Sequence, residues 1–431
     1  MSADEQLLCF HHSEAGDSRH PELRVVDRDG STVAELSDGA GRALESRGFT
    51  QVDGDERVLV LHEREDAKRP LVWWPRAGRI ETVTLDLPGD VEANWYPDGS
   101  AILITHEHAG RSELYRYDLS TGEMRSLGAP AGTISTAAAR PDGDVWFLWS
   151  SSESPPQIRS TAGDIVLEPA GEHSPGGVRY SDLWVDGVHA LVAEPPGPRP
   201  HPTILSIHGG PDAHDRDSFS APVQAWVDHG LAVVMVNYHG STGYGRAWRD
   251  AITGNPGLTE LADIAAVRER LVADGIADPE RIVLSGASWG GYLTLLGLGT
   301  QPDLWTLGVA GVPVADFVTA YEDEMDPLKA YDRALFGASP DDDPELYRAR
   351  SPITFAENVR VPVLILAGEN DPRCPIRQID NYIARLNDLG REVEVVRYAA
   401  GHGSLRTPER IRQMEAEIGF VARHLGTTPP L

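Results

Sequence analysis

At 431 residues the chain exceeds what one ordinary hydrophobic core organises, so two domains are expected. Its composition is globular, with 41% hydrophobic and 24% charged residues. A formal net charge of −28 would repel nucleic-acid phosphates and anionic membrane surfaces, and neither is expected as a partner.

Two cysteines, Cys9 and Cys374, make neither a disulfide framework nor a metal cluster. The opening Met1-Ser2-Ala3-Asp4-Glu5 lacks the basic and apolar regions of a secretory signal, and no apolar run reaches membrane-span length. A cytoplasmic, soluble protein is the expectation.

Residues 1–175 hold short apolar runs and turn dipeptides, with no clear helical period. Leu7–Phe10, Val58–Leu61, Ala101–Ile104 and Val145–Leu148 are strand candidates. Each is followed by a second strand, at Glu22–Val26, Leu71–Trp74, Glu113–Tyr117 and Gln157–Arg159. Gly30, Gly78, Gly122 and Gly163 close these second strands, and a third short strand follows, as at Arg79–Val83. The landmarks recur about every 44 positions, a period of radial β repeats. Four units are expected, the first without a leading strand, with Ser174–Tyr180 a possible closing segment. His11-His12 and His106-x-His108 lack Cys or carboxylate partners at ligand spacing, so no metal site is expected there.

Composition shifts after Pro175-Gly176-Gly177. Leu183–Val192 has the pattern of a hairpin. Thr203–Ile207, Val233–Val236, Ile282–Leu284, Leu307–Ala310, Val363–Leu366 and Val393–Arg397 are apolar strands. Glu260–Val272, Arg377–Leu389 and Pro408–His424 have helical period. Alternation of the two kinds implies a mostly parallel sheet covered on both faces, with ligands bound off the strands' carboxyl ends.

Four features sit at those ends. Gly286-x-Ser288-x-Gly290, between an apolar strand and a helix-compatible run, has the pattern of a nucleophile elbow. Its turn would expose the Ser288 hydroxyl and aim the Trp289 N–H at developing negative charge. His208-Gly209-Gly210-Pro211 is a glycine loop able to present a second N–H. Asp371, in Gly368-Glu369-Asn370-Asp371, can orient an imidazole, and His402 stands between Gly401 and Gly403. The order Ser, Asp, His, each after its own strand, is that of α/β-hydrolase triads.

The stretches Ile207–Pro211, Val236–Gly245, Gly286–Tyr292, Tyr347–Pro352, Gly368–Pro375 and Gly401-His402 resemble the catalytic domain of the prolyl oligopeptidase family of serine peptidases. The acylaminoacyl-peptidase and dipeptidyl-peptidase branches are the most similar. The resemblance implies an α/β fold: an α/β-hydrolase catalytic domain over 176–431, preceded by a small all-β propeller-like domain of about four blades over 1–175. It implies Ser288 as nucleophile, His402 as general base and Asp371 as orienter. Gly210 and Trp289 would supply the oxyanion N–H groups, and Arg373 and Tyr292 would bind substrate. His239 stands where the family usually has Arg, and Trp289 where it usually has Tyr; the propeller is also shorter than usual.

The implied reaction is amide cleavage of short peptides or peptide-like small molecules through an acyl-enzyme, with no metal or cofactor needed. The elbow alone leaves open an esterase or acyltransferase using the same triad. A non-catalytic propeller scaffold is the third reading. The segment from Thr319 to Pro344, with Glu322, Asp323, Glu324 and Asp326, is expected to form an acidic cap that could bind a free amino group.

Overall fold

The computed structural model describes residues 1–171 and 174–426. The chain divides into two units. The first takes Met1–Gly177 together with Arg216–Phe219 and Thr242–Trp248, and the second takes the remainder from Val178 onward.

The first unit contains four small antiparallel sheets in chain order. Leu7–Asp17, His20–Asp27 and Thr32–Leu36 form a three-stranded sheet that lacks a leading strand, as the repeat predicts. Each of the next three sheets has four strands, beginning at Leu44–Val52, Asp90–Trp95 and Thr133–Ala139. Ser174–Tyr180 form no strand.

Side-chain alternation explains why the central strands are apolar throughout. Val58 and Val60 enter a core shared with Leu7, Leu23 and Val25 of the first sheet. Leu59 and Leu61, between them in sequence, enter a second core with Ile102 and Ile104 of the third. Ala101 and Leu103 then join Val145 and Phe147 of the fourth. A strand packed on both faces thus has no polar side, and full burial of each Val or Leu contributes about 1.5–3 kcal/mol. These shared cores join the four sheets in series, a small propeller-like repeat.

The second unit is an eight-stranded sheet of the α/β-hydrolase kind. Its order is Ser181–Val185, Val188–Ala193, Ala232–Asn237, His201–Ile207, Ala277–Ala287, Leu307–Gly311, Val363–Gly368, Val393–Tyr398. The first two strands form the expected hairpin, with Trp184 opposite His189, and the second runs antiparallel to Ala232–Asn237. Every later pairing is parallel. One face carries Ala221–Asp228 and Thr407–Leu425, whose Val223, Trp226, Phe420 and Val421 pack on Ile204, Val233, Val283 and Leu364.

The helix Leu258–Ala273 buries Leu261, Ile264, Val267 and Leu271, one stripe of a 3.6-residue period. Trp289–Thr300 is buried on every side, so it carries no polar face and no clear period in sequence. Among the described residues, no helix is long and apolar enough to cross a membrane.

Candidate active site

Strand Ala277–Ala287 ends in a turn that glycine makes possible. Ser288 sits at φ 57°, ψ −118°, a conformation strained for a residue with a side chain. A β-carbon on Gly286 would stand 2.6 Å from the Ile207 carbonyl oxygen. One on Gly290 would overlap that same oxygen, and one on Gly291 would stand 2.6 Å from the Gly311 carbonyl oxygen. The helix can therefore pack tightly between neighbouring strand ends. The Ser288 N–H donates to the Gly311 carbonyl at 2.8 Å, and the Ser288 carbonyl accepts from the Tyr292 N–H at 2.8 Å. Both ends of the strained residue are fixed.

Trp289 opens the following helix, where its N–H has no carbonyl one turn back within the helix. Such a group is available to an anion. The His208–Pro211 loop lies against this turn: a β-carbon on Gly209 would be 3.3 Å from Ser288 Cβ. Gly210 adopts φ 131° and lines one pocket together with Ser288 and Trp289.

His208 holds that loop in shape. Its ring stacks on Tyr238 with centroids 4.3 Å apart, and the Tyr238 hydroxyl donates to the His208 carbonyl at 2.9 Å. A carbonyl only accepts, so the 2.9 Å contact to the Gly209 oxygen places the ring proton on Nδ1. Nε2 is then left to accept from the Ser241 hydroxyl at 2.8 Å. Burial lowers the His208 pKa to about 4, which keeps the ring neutral.

The other two loops are zipped together. The Glu369 N–H donates to the Tyr398 carbonyl and the Asn370 N–H to the Ala400 carbonyl, both at 3.0 Å. A β-carbon on Gly368 would collide with the Gly401 carbonyl oxygen, so the backbones touch only because Gly is there. This brings His402 Nδ1 to 2.7 Å from Asp371 Oδ2. The other carboxylate oxygen accepts from the Arg373 N–H at 2.8 Å and the Cys374 N–H at 3.1 Å. The Asp371 side chain has no exposed surface, while that of His402 is 20% exposed. With Nδ1 as donor to Asp371, Nε2 carries the lone pair, the tautomer a general base needs.

Ser288 and the Asp371–His402 pair lie at the carboxyl end of the same sheet. Arg373 and Cys374 line the pocket that Ser288 and Trp289 open into. Among the described residues, no hydrogen bond joins the Ser288 hydroxyl to His402. Asp371, Cys374 and His402 each place a potential ligand atom within 4.8 Å of the others. Burial raises the Cys374 thiol pKa well above its usual value, however, and a neutral thiol is a weak metal ligand.

Two expectations need revision. Tyr292, expected to contact substrate, is fully buried. Its ring packs edge-on against Trp289 and Phe317, with centroids 4.8 and 4.9 Å apart, and its hydroxyl donates to the Pro256 carbonyl at 3.4 Å. It supports the pocket from behind. In the acidic segment, Glu322 and Asp323 are paired with Arg377 at 2.6 and 2.5 Å. Of the four carboxylates named there, Glu324 alone lines the pocket beside Ser288. His239, at the family's Arg position, bonds Asp263 through both its N–H and its ring, at 2.7 and 2.8 Å.

Sequence reasoning did not single out Asp332, Phe317 or Leu328, which also line that pocket. They come from helices Phe317–Asp323 and Asp326–Phe336. Pro327 near the start of the second helix and Gly337 after its end were available as boundary signals.

Residues 217–428 match the model of the prolyl oligopeptidase family. The uncharacterized peptidase YuxL of Bacillus subtilis (strain 168) is 32% identical over 248 residues, 56% of this chain and 37% of that protein. Dipeptidyl aminopeptidase BIII of Pseudoxanthomonas mexicana is 26% identical over 433 residues, 92% of this chain and 58% of that protein. Each match thus spans less than two thirds of the relative's length. A puromycin-hydrolyzing peptidase of Mycobacterium tuberculosis has the same fold over 100% of this chain and 70% of its own, with a TM-score of 0.89 at 24% identity.

Proposed function

We propose that this chain, which belongs through residues 217–428 to the prolyl oligopeptidase family, is a serine peptidase cleaving amide bonds of short peptides or peptide-like small molecules. In this reading residues 1–175 are the propeller-like domain and 176–431 the catalytic domain. Ser288, Asp371 and His402 form the triad. One observation carries it: a strained serine and an aspartate-bound imidazole stand at the carboxyl end of the same sheet, the serine on a pocket that Arg373 and Cys374, the residues whose N–H groups hold Asp371, also line.

The chemistry follows from the geometry. His402 Nε2 takes the proton of the Ser288 hydroxyl as Oγ bonds to the substrate carbonyl carbon. The oxyanion accepts from the Trp289 and Gly210 N–H groups, each worth about 3 kcal/mol of barrier. Breaking the C–N bond releases the amine, which takes the proton from His402. Water then repeats the sequence on the acyl-enzyme and frees the acid. The mechanism requires the Ser288–His402 hydrogen bond to close when substrate binds, since such bonds are often long without it. Arg373, lining the pocket, is placed to grip a substrate carbonyl. The puromycin hydrolysis of the structural relative supports including peptide-like small molecules as substrates. The free thiols of Cys9 and Cys374 fit a reducing, cytoplasmic setting.

The test is labelling by a fluorophosphonate combined with turnover of aminoacyl and N-acyl-aminoacyl anilides. Wild-type protein is expected to label and turn over. Ser288→Ala should lose the label and about 10⁵-fold or more in kcat. A folded wild type that neither labels nor cleaves overturns the reading. Cleavage confined to esters would replace peptidase with esterase.

A further inference from the structure

The pocket beside Ser288 has apolar walls, including Val314, Phe317 and Leu328, yet two carboxyl groups line it. Glu324 is 7% exposed and Asp332 6%. Glu324 Oε1 and Asp332 Oδ2 are both buried without a hydrogen-bond partner. Buried carboxyl oxygens without partners cost stability, and a fold that retains two of them in one binding pocket leaves them for a ligand.

Among the described residues, the protein's own cations do not fill that role. Lys329 is the cation whose charge acts on Glu324, and its ammonium donates to the Glu322 carbonyl at 3.3 Å. The charge of Glu324 acts on Asp332 in the unfavourable sense. Among the described residues, Arg373, also on the pocket wall, forms no ion pair with either carboxyl. Burial raises Glu324 to about 7, and raises Asp332 well above the usual carboxylate range with Glu324 adding to the effect. A positive charge between them would reverse both shifts.

We infer that this pocket is a receptor for a positively charged nitrogen on the residue that becomes the acyl group, held between Glu324 and Asp332 while Ser288 attacks. The cavity is about 50 Å³. A single water needs about 10–15 Å³ of such space, so the slot suits an unbranched alkyl-ammonium better than an aromatic ring. The nitrogen has two possible sources, a lysine-type side chain and a free α-amine. The inference rests on the peptidase reading.

The experiment measures kcat/KM of the full-length wild type on three p-nitroanilides. N-acetyl-lysyl carries only a side-chain ammonium, norleucyl only an α-ammonium, and N-acetyl-norleucyl neither. We expect one of the first two to exceed the third by about tenfold or more. The favoured one identifies the source. Glu324→Gln combined with Asp332→Asn should collapse that ratio, mainly through KM. Fluorophosphonate labelling of the variant at Ser288 reports that it is folded; if it is not, the wild-type ratio decides alone. N-acetyl-norleucyl anilide cleaved as fast as the charged substrates overturns this inference and leaves the peptidase reading standing. Labelling without cleavage of any of the three also overturns it. Failure of both labelling and cleavage removes the peptidase reading, and the inference with it.

Discussion

Asp371 and the Glu324–Asp332 pair are buried carboxyl groups of the same α/β unit, held in opposite ways. Asp371 is surrounded by donors: one imidazole and two backbone N–H groups. Each replaces a water hydrogen bond lost on burial, so the group is already in its working state. Glu324 and Asp332 each keep an oxygen without a donor, and burial opposes their charge. One carboxyl is organised toward the protein, the other two toward whatever enters. The difference teaches that burial alone does not assign a role to an acidic residue; its donors do.

The contrast is broken most directly at Asp371. Asp371→Asn should keep the fold yet lower kcat by about 10⁴-fold, because the amide favours the wrong imidazole tautomer. KM should change little. Stopped or initial-rate kinetics on any cleaved anilide measures the split, and a large rise in KM with kcat preserved would remove Asp371 from the orienting role.

A second measurement sharpens the comparison through pH. Glu324, at about 7 in the folded protein, has a raised pKa relative to its ordinary 4.5, as does the buried Glu260, at about 8. Asp332 is raised as well. Above pH 4.5 the unfolded chain releases these protons while the folded chain keeps them. These carboxyls should therefore make stability fall as pH rises from about 5 to 8, while the buried His208 and His62, lowered to about 4, act in the opposite sense below about 6.5. Carboxylates with lowered pKa, such as Asp118 and Asp98, change stability only below about 4, so the variant's difference from wild type isolates the raised group. Urea titrations at the two pH values measure the slope, and Asp332→Asn should flatten it. A slope left unchanged by Asp332→Asn would contradict the burial of an unpaired carboxyl there.

The smallest effect is expected at Tyr292. Its hydroxyl has one long bond, to the Pro256 carbonyl, and no place on the pocket wall. Tyr292→Phe should cost about 1 kcal/mol or less in thermal unfolding and leave KM unchanged. A several-fold rise in KM would return Tyr292 to the substrate.

Much of this was legible in the sequence. Apolar runs such as Val58–Leu61 and Ile282–Leu284 mark strands buried on both faces, and glycines at 286, 290 and 368 mark the places where backbone meets backbone. The placing of Ser288, Asp371 and His402 on loops after three strands of one sheet was legible as well. The pocket beside Ser288 was not. Asp332 lies in an amphipathic helix of three turns, where an acidic residue resembles any solvated one; only packing turns it inward. Glu322, Asp323 and Glu324 are adjacent and alike in sequence. What separates them is Arg377, more than fifty positions away, which takes two and leaves the third. Tyr292 misled because a motif position fixes where a backbone goes and leaves the ring's neighbours to the rest of the fold.

The contact between Gly368 and Gly401 has a consequence for anyone reshaping this protein. Because a methyl group at position 368 would meet the Gly401 carbonyl, Asp371 and His402 are mounted on what is mechanically a single part. Loop grafting or insertion on either side alone will shift the imidazole relative to its carboxylate; a transplant to another scaffold has to carry both segments as one cassette.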